Sequence, residues 1–92
     1  MISKTLQLSN NRIAHYFEQG EGEPLVLIHG VGMQAAAWYP QIEYFSKDYR
    51  VISVDMPGHG QSTKLTDGAP LKAFVDWTFE FITALNLGAV KV

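Results

Sequence analysis

Two short apolar runs constrain the fold of this chain more than any other feature of its sequence. Residues 25–28 read LVLI without a polar side chain, and residues 51–54 read VISV with a single serine. Runs of this length, bounded by turn-forming residues, are typical of strands that are covered on both faces in a parallel sheet. Each run therefore predicts a buried parallel strand.

Helical patterns separate and follow these two strands. Trp38, Ile42 and Phe45 recur at helical spacing, and Pro40 is tolerated only in a first turn, so we expect a helix from about residue 37 to 46. A second helix is predicted to open at Pro70 and to stop near Asn86 and Gly88. Its expected inner face is formed by Leu71, Phe74, Val75, Thr78, Phe81, Ile82 and Leu85.

The two ends of the chain complete the predicted sheet. Residues 5–8 alternate apolar and polar side chains, residues 9–11 (SNN) are turn formers, and Ile13, His15 and Phe17 share one face of a second strand. This pattern predicts a β-hairpin. Residues 90–92 (VKV) resemble the start of a further strand. A hairpin followed by β-α-β-α-β predicts an α/β sheet with mostly parallel strands.

Composition excludes several classes of function. The net charge of −2 and the pI near 5.8 give no basic field for nucleic acid or for an anionic membrane. The absence of cysteine excludes disulfides and thiolate metal sites. The N-terminus lacks the apolar segment of a signal peptide, and no run approaches the ~18 apolar residues of a membrane span. We therefore expect a cytoplasmic protein without a thiolate-bound metal.

The loops that follow the two buried strands carry the candidate chemistry. The first reads His29-Gly30-Val31-Gly32-Met33, where two glycines let the backbone turn sharply and aim its N–H groups at negative charge on a substrate oxygen. A tight strand-to-helix connection explains the same spacing about equally well. The second loop, residues 55–62 (DMPGHGQS), is dense in turn formers, and Asp55 is expected to accept backbone hydrogen bonds within it.

A local catalytic triad within the second loop is not favoured. Asp55, His59 and Ser62 have suitable side chains, but the members of a triad usually come from separate parts of a fold, because each needs a rigid support. Residues 60–64 (GQSTK) also fail as a nucleophile elbow, since they lack the final glycine of G-x-S-x-G and follow the wrong strand.

From about Ile13 to Val92, the chain resembles the N-terminal third of α/β-hydrolases, in particular the branch of enol-lactonases, meta-cleavage-product hydrolases and cofactor-free haloperoxidases. The resemblance rests on residues 29–32 (HGVG) after a strand, Trp38 opening the next helix, residues 49–52 (YRVI), and D-x-P-G-H-G-x-S at residues 55–62. The two loop motifs are specific jointly, in this order and at this separation.

The resemblance implies a role for each matched position. The main-chain N–H of Val31, with Gly32 in the same loop, would form half of an oxyanion hole. His29, Gly30, Asp55, Gly58 and Gly60 would shape the two loops. Met33 and Trp38 would lie near the pocket wall or in the adjacent core, with the core favoured for Trp38. His15 matches no functional position. Replacing Gly32 with valine would lower kcat by obstructing the oxyanion loop.

The resemblance also implies that the catalytic residues lie elsewhere. In such enzymes the nucleophile elbow follows the strand that here begins at Val90, and the acid and the base come later. The chain would be a fragment of one catalytic domain, inactive alone, from a hydrolase acting on an ester, lactone or C–C bond without a cofactor. The rest of the domain, or a second copy, would cover its exposed sheet edge.

Two other readings stay open at this stage. Gly30, Gly32 and Ala35 match G-x-G-x-x-G/A, and Asp55 ends the next strand, as in a module that binds NAD(P). Pro40 weakens that reading, because it moves the start of the helix away from the glycines. A non-catalytic binding module with a hydrolase-like fold is the third reading.

Overall fold

The computed structural model describes residues 1–30 and 32–87. Short 3₁₀ turns lie at Ser9–Asn11 and Ala35–Trp38. The remaining elements are β1 (Ile2–Gln7), β2 (Ile13–Gln19), β3 (Glu23–Ile28), α1 (Tyr39–Phe45), β4 (Tyr49–Val54) and α2 (Leu71–Leu85).

The predicted hairpin is confirmed. Strands β1 and β2 pair antiparallel, with Leu6 opposite Ala14. Asn10 and Asn11 in the connecting turn have φ angles of 58° and 57°. Asparagine tolerates this left-handed region better than most residues do, which explains its choice at this turn.

The described strands form one sheet in the order β1-β2-β4-β3. Strand β4 pairs antiparallel with β2 and parallel with β3, and Ile28 lies opposite Val54 at the end of the parallel pair. The two buried strands predicted from their apolar runs are thus neighbours that end at the same edge of the sheet. The α/β fold prediction is confirmed, and the strand predicted at residues 90–92 lies outside the described residues.

Helix α1 begins later than the spacing predicted. The chain first forms the 3₁₀ turn at Ala35–Trp38, and α1 starts at Tyr39, with Pro40 in its first turn. Proline is acceptable there because the first N–H groups of a helix have no intrahelical partner. Ile42 of α1 is buried together with Ala35, and the hydroxyl of Ser53 on β4 donates to the Ala35 carbonyl at 3.0 Å.

Helix α2 covers the opposite face of the sheet. Trp77 and Phe81 are buried there, with parallel rings whose centroids lie 5.7 Å apart. They belong to the main core, which also contains Leu8, Ala14, Tyr16, Val26, Ile52, Val54 and Leu65. Because Ile52 and Val54 alternate with Val51 and Ser53 along β4, one strand serves both helical layers.

The predicted inner face of α2 is wrong at two positions. Leu71 is 80% exposed and Val75 is 47% exposed, and both point away from the core with Phe79. Phe74, Ile82 and Leu85 do pack against the core. The C-terminal stop at Asn86 is confirmed, because this residue caps α2 with a φ of 53° and a ψ of 46°. Within residues 1–30 and 32–87, no helix is long and apolar enough to cross a bilayer.

Candidate functional site

Two loops leave the sheet side by side where the parallel pair ends. The first loop (residues 29–34) follows β3, and the second loop (residues 55–62) follows β4. Open α/β sheets bind ligands at the carboxyl ends of their parallel strands. The sequence placed its candidate chemistry on these two loops, and the register of β3 and β4 brings them together.

The second loop is organised around the buried carboxylate of Asp55, which is 2% exposed. One oxygen accepts the N–H of Ala35 at 2.7 Å. The other accepts the N–H of Gln61 at 3.2 Å and faces Nδ1 of His15 at 2.7 Å. These partners lie directly after the first loop, within the second loop and on β2, so one side chain ties three segments together. The expected structural role of Asp55 thus extends beyond its own turn.

His15 continues this network into the hairpin. Its ring is 1% exposed, and its Nε2 lies 2.6 Å from the hydroxyl of Ser3 on β1. Its backbone N–H donates to the Ser62 hydroxyl at 2.9 Å. The sequence motifs predicted no function for this histidine. Its partners are 40 and 47 residues away in the second loop, so no local pattern could identify them.

Ser3, His15 and Asp55 have the hydrogen-bond order of a catalytic triad, but their setting is that of a structural network. Ser3 lies on the exposed outer strand of the described sheet. The two cavities beside the loops are lined by other residues. A triad also needs donors aimed at a developing oxyanion. We therefore assign this group to the support of the second loop.

The side chains of Asp55, His59 and Ser62 also bind different partners. Asp55 faces His15, Ser62 accepts from the backbone of His15, and His59 contacts the first loop. These bonds agree with the sequence argument against a local triad. Gly60 is required for a different reason, because a Cβ atom there would overlap the carboxyl group of Asp55. Gly58 also has a positive φ, of 76°.

The first loop is more exposed and contains the proposed oxyanion turn. His29 is buried, whereas Gly30, Gly32 and Met33 are exposed. Gly32 has a φ of 83°, a left-handed conformation that favours glycine. Its N–H donates to Nε2 of His59 at 3.3 Å. Val31, the expected oxyanion donor, lies outside the described residues, so its assignment stays a prediction.

Two cavities adjoin the loops. One of about 620 Å³ is lined by Gly32, Met33, Gln34, Ala36, Ala37, His59 and Gly60. Another of about 280 Å³ lies against the start of α2 and is lined by His29, Gly30, Met56, His59, Leu71 and Phe74. Met33 thus borders a cavity between the loops. Trp38 lines neither and is half-buried, and its indole Nε1 is buried without a hydrogen-bond partner among the described residues.

The environment of Asp55 argues against the dinucleotide-binding reading. An acidic residue that binds a ribose must present a free carboxylate oxygen to the hydroxyl groups. Both oxygens of Asp55 already accept hydrogen bonds from the protein, and the residue is buried. In addition, α1 begins at Tyr39, seven residues beyond Gly32, so its N-terminus does not directly follow the glycines.

Comparisons with known proteins show which family this chain is similar to. Residues 23–90 match the model of the alpha/beta hydrolase fold family. The whole chain is 78% identical to 35% of an (E)-2-((N-methylformamido)methylene)succinate hydrolase of Acinetobacter baylyi. Over 84% of its length, it is 37% identical to a non-heme chloroperoxidase of Kitasatospora aureofaciens, covering 28% of that protein.

A solved structure shows the same similarity. The meta-cleavage product hydrolase of Pseudomonas fluorescens superposes on 97% of this chain with a TM-score of 0.85 and 32% identity. The match covers 34% of that enzyme. The chain therefore spans about a third of the length of the relatives that it matches across nearly its whole length. The resemblance to this branch, inferred from the two loop motifs, is confirmed.

Proposed function

Because the chain belongs to the α/β-hydrolase fold family, we propose that it is the N-terminal part of a serine-type hydrolase that cleaves an ester, lactone or C–C bond in a small organic substrate. The observation that carries this proposal is the joining of the two loops at one edge of the sheet, where Gly32 donates its N–H to His59. That edge is where α/β sheets bind ligands.

In this proposal the first loop stabilises negative charge. Attack of a serine hydroxyl on a carbonyl carbon moves an electron pair onto the carbonyl oxygen, and fixed N–H groups aimed at that oxygen lower the barrier. The N–H of Gly32 already has an acceptor in His59. We therefore assign the donor role to the N–H of Val31, with a second donor elsewhere in the hydrolase, and give Gly32 a conformational role.

The relatives narrow the substrate class. The protein that is 78% identical to this chain hydrolyses a succinate derivative that carries an N-methylformamido group. Met33, which borders the larger of the two cavities, supports a pocket next to the proposed oxyanion turn. We propose that the natural substrate is a small dicarboxylate of this kind.

We further propose that this chain is inactive without the rest of the hydrolase domain. Leu71, Val75 and Phe79 form an exposed apolar stripe along α2, and β3 is an outer strand of the described sheet. Large apolar stripes and open strand edges are normally covered in a stable protein. The remainder of the domain is the occupant that the family match supports, because the relatives are about three times as long.

The test compares turnover by the 92-residue chain with turnover by the complete hydrolase. The two substrates are p-nitrophenyl acetate and the succinate derivative that the 78% identical relative hydrolyses. We expect turnover by the complete hydrolase and none by the chain. Turnover by the chain alone would contradict its predicted inactivity. A complete protein that cleaves neither compound would favour the non-catalytic binding module instead, and the residue at its nucleophile elbow would then be apolar.

One variant, compared in the complete hydrolase and in the isolated chain, tests whether the apolar stripe on α2 is covered by the rest of the domain. In the complete hydrolase, Phe79→Ala should lower the free energy of unfolding by about 2 to 4 kcal/mol, because the remainder of the domain buries the ring. In the isolated chain the same change should have an effect within about 0.5 kcal/mol, since Phe79 is 70% exposed there. An equal effect in both proteins would show that the stripe stays uncovered.

A further inference from the structure

The two loops are joined by a reciprocal pair of histidines. His29, in the first loop, accepts the N–H of Met56 from the second loop at its Nε2, at 2.9 Å. His59, in the second loop, accepts the N–H of Gly32 from the first loop at its own Nε2, at 3.3 Å. The ring centroids lie 5.0 Å apart. Each loop thus supplies one imidazole that holds a backbone amide of the other, and we call this arrangement the histidine latch.

The latch fixes the protonation of both rings. A backbone N–H can only donate, so each Nε2 must present a lone pair and carry no proton. Each Nδ1 faces a carbonyl of its own loop, at 2.8 Å from Gly30 for His29 and at 3.0 Å from Pro57 for His59. A carbonyl can only accept, so each Nδ1 carries the proton. These hydrogen bonds therefore require the Nδ1–H tautomer of both rings.

We propose that His59 is a positioning residue of the hydrolase, which acts by holding the N–H of Gly32. This inference rests on the proposed function and deepens it. Because the lone pair of His59 engages the Gly32 amide, that amide cannot turn toward substrate. The turn is held in the left-handed conformation that Gly32 adopts.

The effect of the latch is on the reaction rate rather than on substrate affinity. Oxyanion donors accelerate a reaction because they are already oriented before charge develops. The first loop has few anchors of its own: Gly30, Gly32 and Met33 are exposed. Loss of the His59 bond would therefore let the turn move, and displacements of about 1 Å at such a site cost about 100-fold in rate.

Kinetics of three variants in the complete hydrolase test the role of His59, with p-nitrophenyl acetate as the probe. His59→Leu removes the acceptor, whereas His59→Gln offers an amide oxygen at a similar reach. Gln61→Leu is the matched control, because it introduces the same apolar side chain at an exposed position of the same loop. We expect His59→Leu to lower kcat by about 10- to 100-fold with KM within about twofold. His59→Gln should recover kcat to within about fivefold of wild type, and Gln61→Leu should match wild type.

A second measurement is independent of turnover. Nitrogen-15 NMR of the imidazole rings in the wild-type hydrolase distinguishes the two neutral tautomers, and the latch requires the Nδ1–H form for His59 at neutral pH. An Nε2–H tautomer for His59, or a kcat for His59→Leu equal to that of the Gln61→Leu control, would overturn the proposal. If wild type fails to cleave the probe, the proposed function fails, and the tautomer still decides whether the latch exists.

Discussion

The two loops at the sheet edge differ in where their order comes from. The second loop is anchored from within the fold: Asp55, Pro57 and Ser62 are buried, and Asp55 and Ser62 bond to His15 on β2. The first loop has a buried histidine at its start, but its tip is open, and Met33 is 52% exposed. Its bonds to the second loop come from Gly32 and His29, and Ala35, directly after it, bonds to Asp55.

This difference shows how a fold can hold an exposed turn in a fixed conformation. A turn that must face a substrate cannot be buried, so its own contacts are few. Here the neighbouring loop supplies the missing constraints through Asp55 and His59. The D-x-P-G-H-G-x-S motif of the second loop thus supports the first loop.

The largest expected effect comes from removing the anchor itself. Asp55→Ala leaves the amides of Ala35 and Gln61 and the ring of His15 without their acceptor. We expect the free energy of unfolding of the complete hydrolase, measured by guanidinium denaturation, to fall by about 3 to 5 kcal/mol. Asp67→Ala is the control, because that carboxylate is 86% exposed. Equal effects of the two changes would break the comparison between the loops.

The next effect tests the space around the anchor. Gly60→Ala places a methyl group on the Asp55 carboxylate and also strains a φ of 52°. Gly68→Ala introduces similar backbone strain, at a φ of 74°, with no atom within 4 Å of the new Cβ. We expect a loss of stability of about 2 to 4 kcal/mol for Gly60→Ala and about 1 kcal/mol for Gly68→Ala. If the two losses are the same, the contact with Asp55 contributes nothing beyond strain.

Gly32→Val tests the importance of the backbone conformation in the first loop. A Cβ at Gly32 would meet no described atom within 4 Å. Backbone strain at the φ of 83°, which a β-branched residue disfavours strongly, is therefore a second reason to expect the effect predicted from the sequence. We expect kcat on p-nitrophenyl acetate to fall about 10- to 100-fold. Gly68→Val has a similar φ outside both loops and should leave kcat unchanged; an equal fall in kcat would contradict a specific role for Gly32.

The smallest effect concerns an ion pair on the sheet, far from both loops. Desolvation raises the pKa of Glu18, but bonds to Arg50 and Lys4 outweigh it, and the pKa lies below its usual value of 4.5. A lowered pKa contributes stability above the usual value, and this contribution is lost as the pH falls through the folded-state pKa. Glu18→Gln should therefore cost up to about 1 kcal/mol at pH 7, and this cost should disappear as the pH falls through the folded-state pKa. A pH-independent cost, seen in urea titrations, would contradict this assignment.

The sequence predicted what depends on local pattern. The Ser9–Asn11 turn, the apolar runs of β3 and β4 and the Asn86 cap are each encoded within a few residues. The predicted inner face of α2 included Leu71 and Val75 and left out Trp77, because this helix carries two apolar stripes at helical spacing. One contains Phe74, Trp77 and Phe81 and the other contains Leu71, Val75 and Phe79, and periodicity alone does not say which one faces the sheet.

The candidate site was predicted as two loops but not as one unit. The motifs located His29, Gly32, Asp55 and His59 in the sequence, whereas their mutual bonds depend on the register of β3 and β4. His15 was missed because its partners lie about 40 residues away. A buried-strand histidine opposite an aspartate at a strand end has no distinctive local signal, so only the folded sheet reveals the pair.

The most direct test of the account is a crystal structure of the complete hydrolase inactivated by a phosphonate ester, whose phosphoryl oxygen mimics the oxyanion. We predict that this phosphoryl oxygen lies within about 3 Å of the Val31 nitrogen. We also predict that the Gly32 N–H still donates to Nε2 of His59. A phosphoryl oxygen held by other donors, or a Gly32 amide that has left His59 to bind it, would contradict the account.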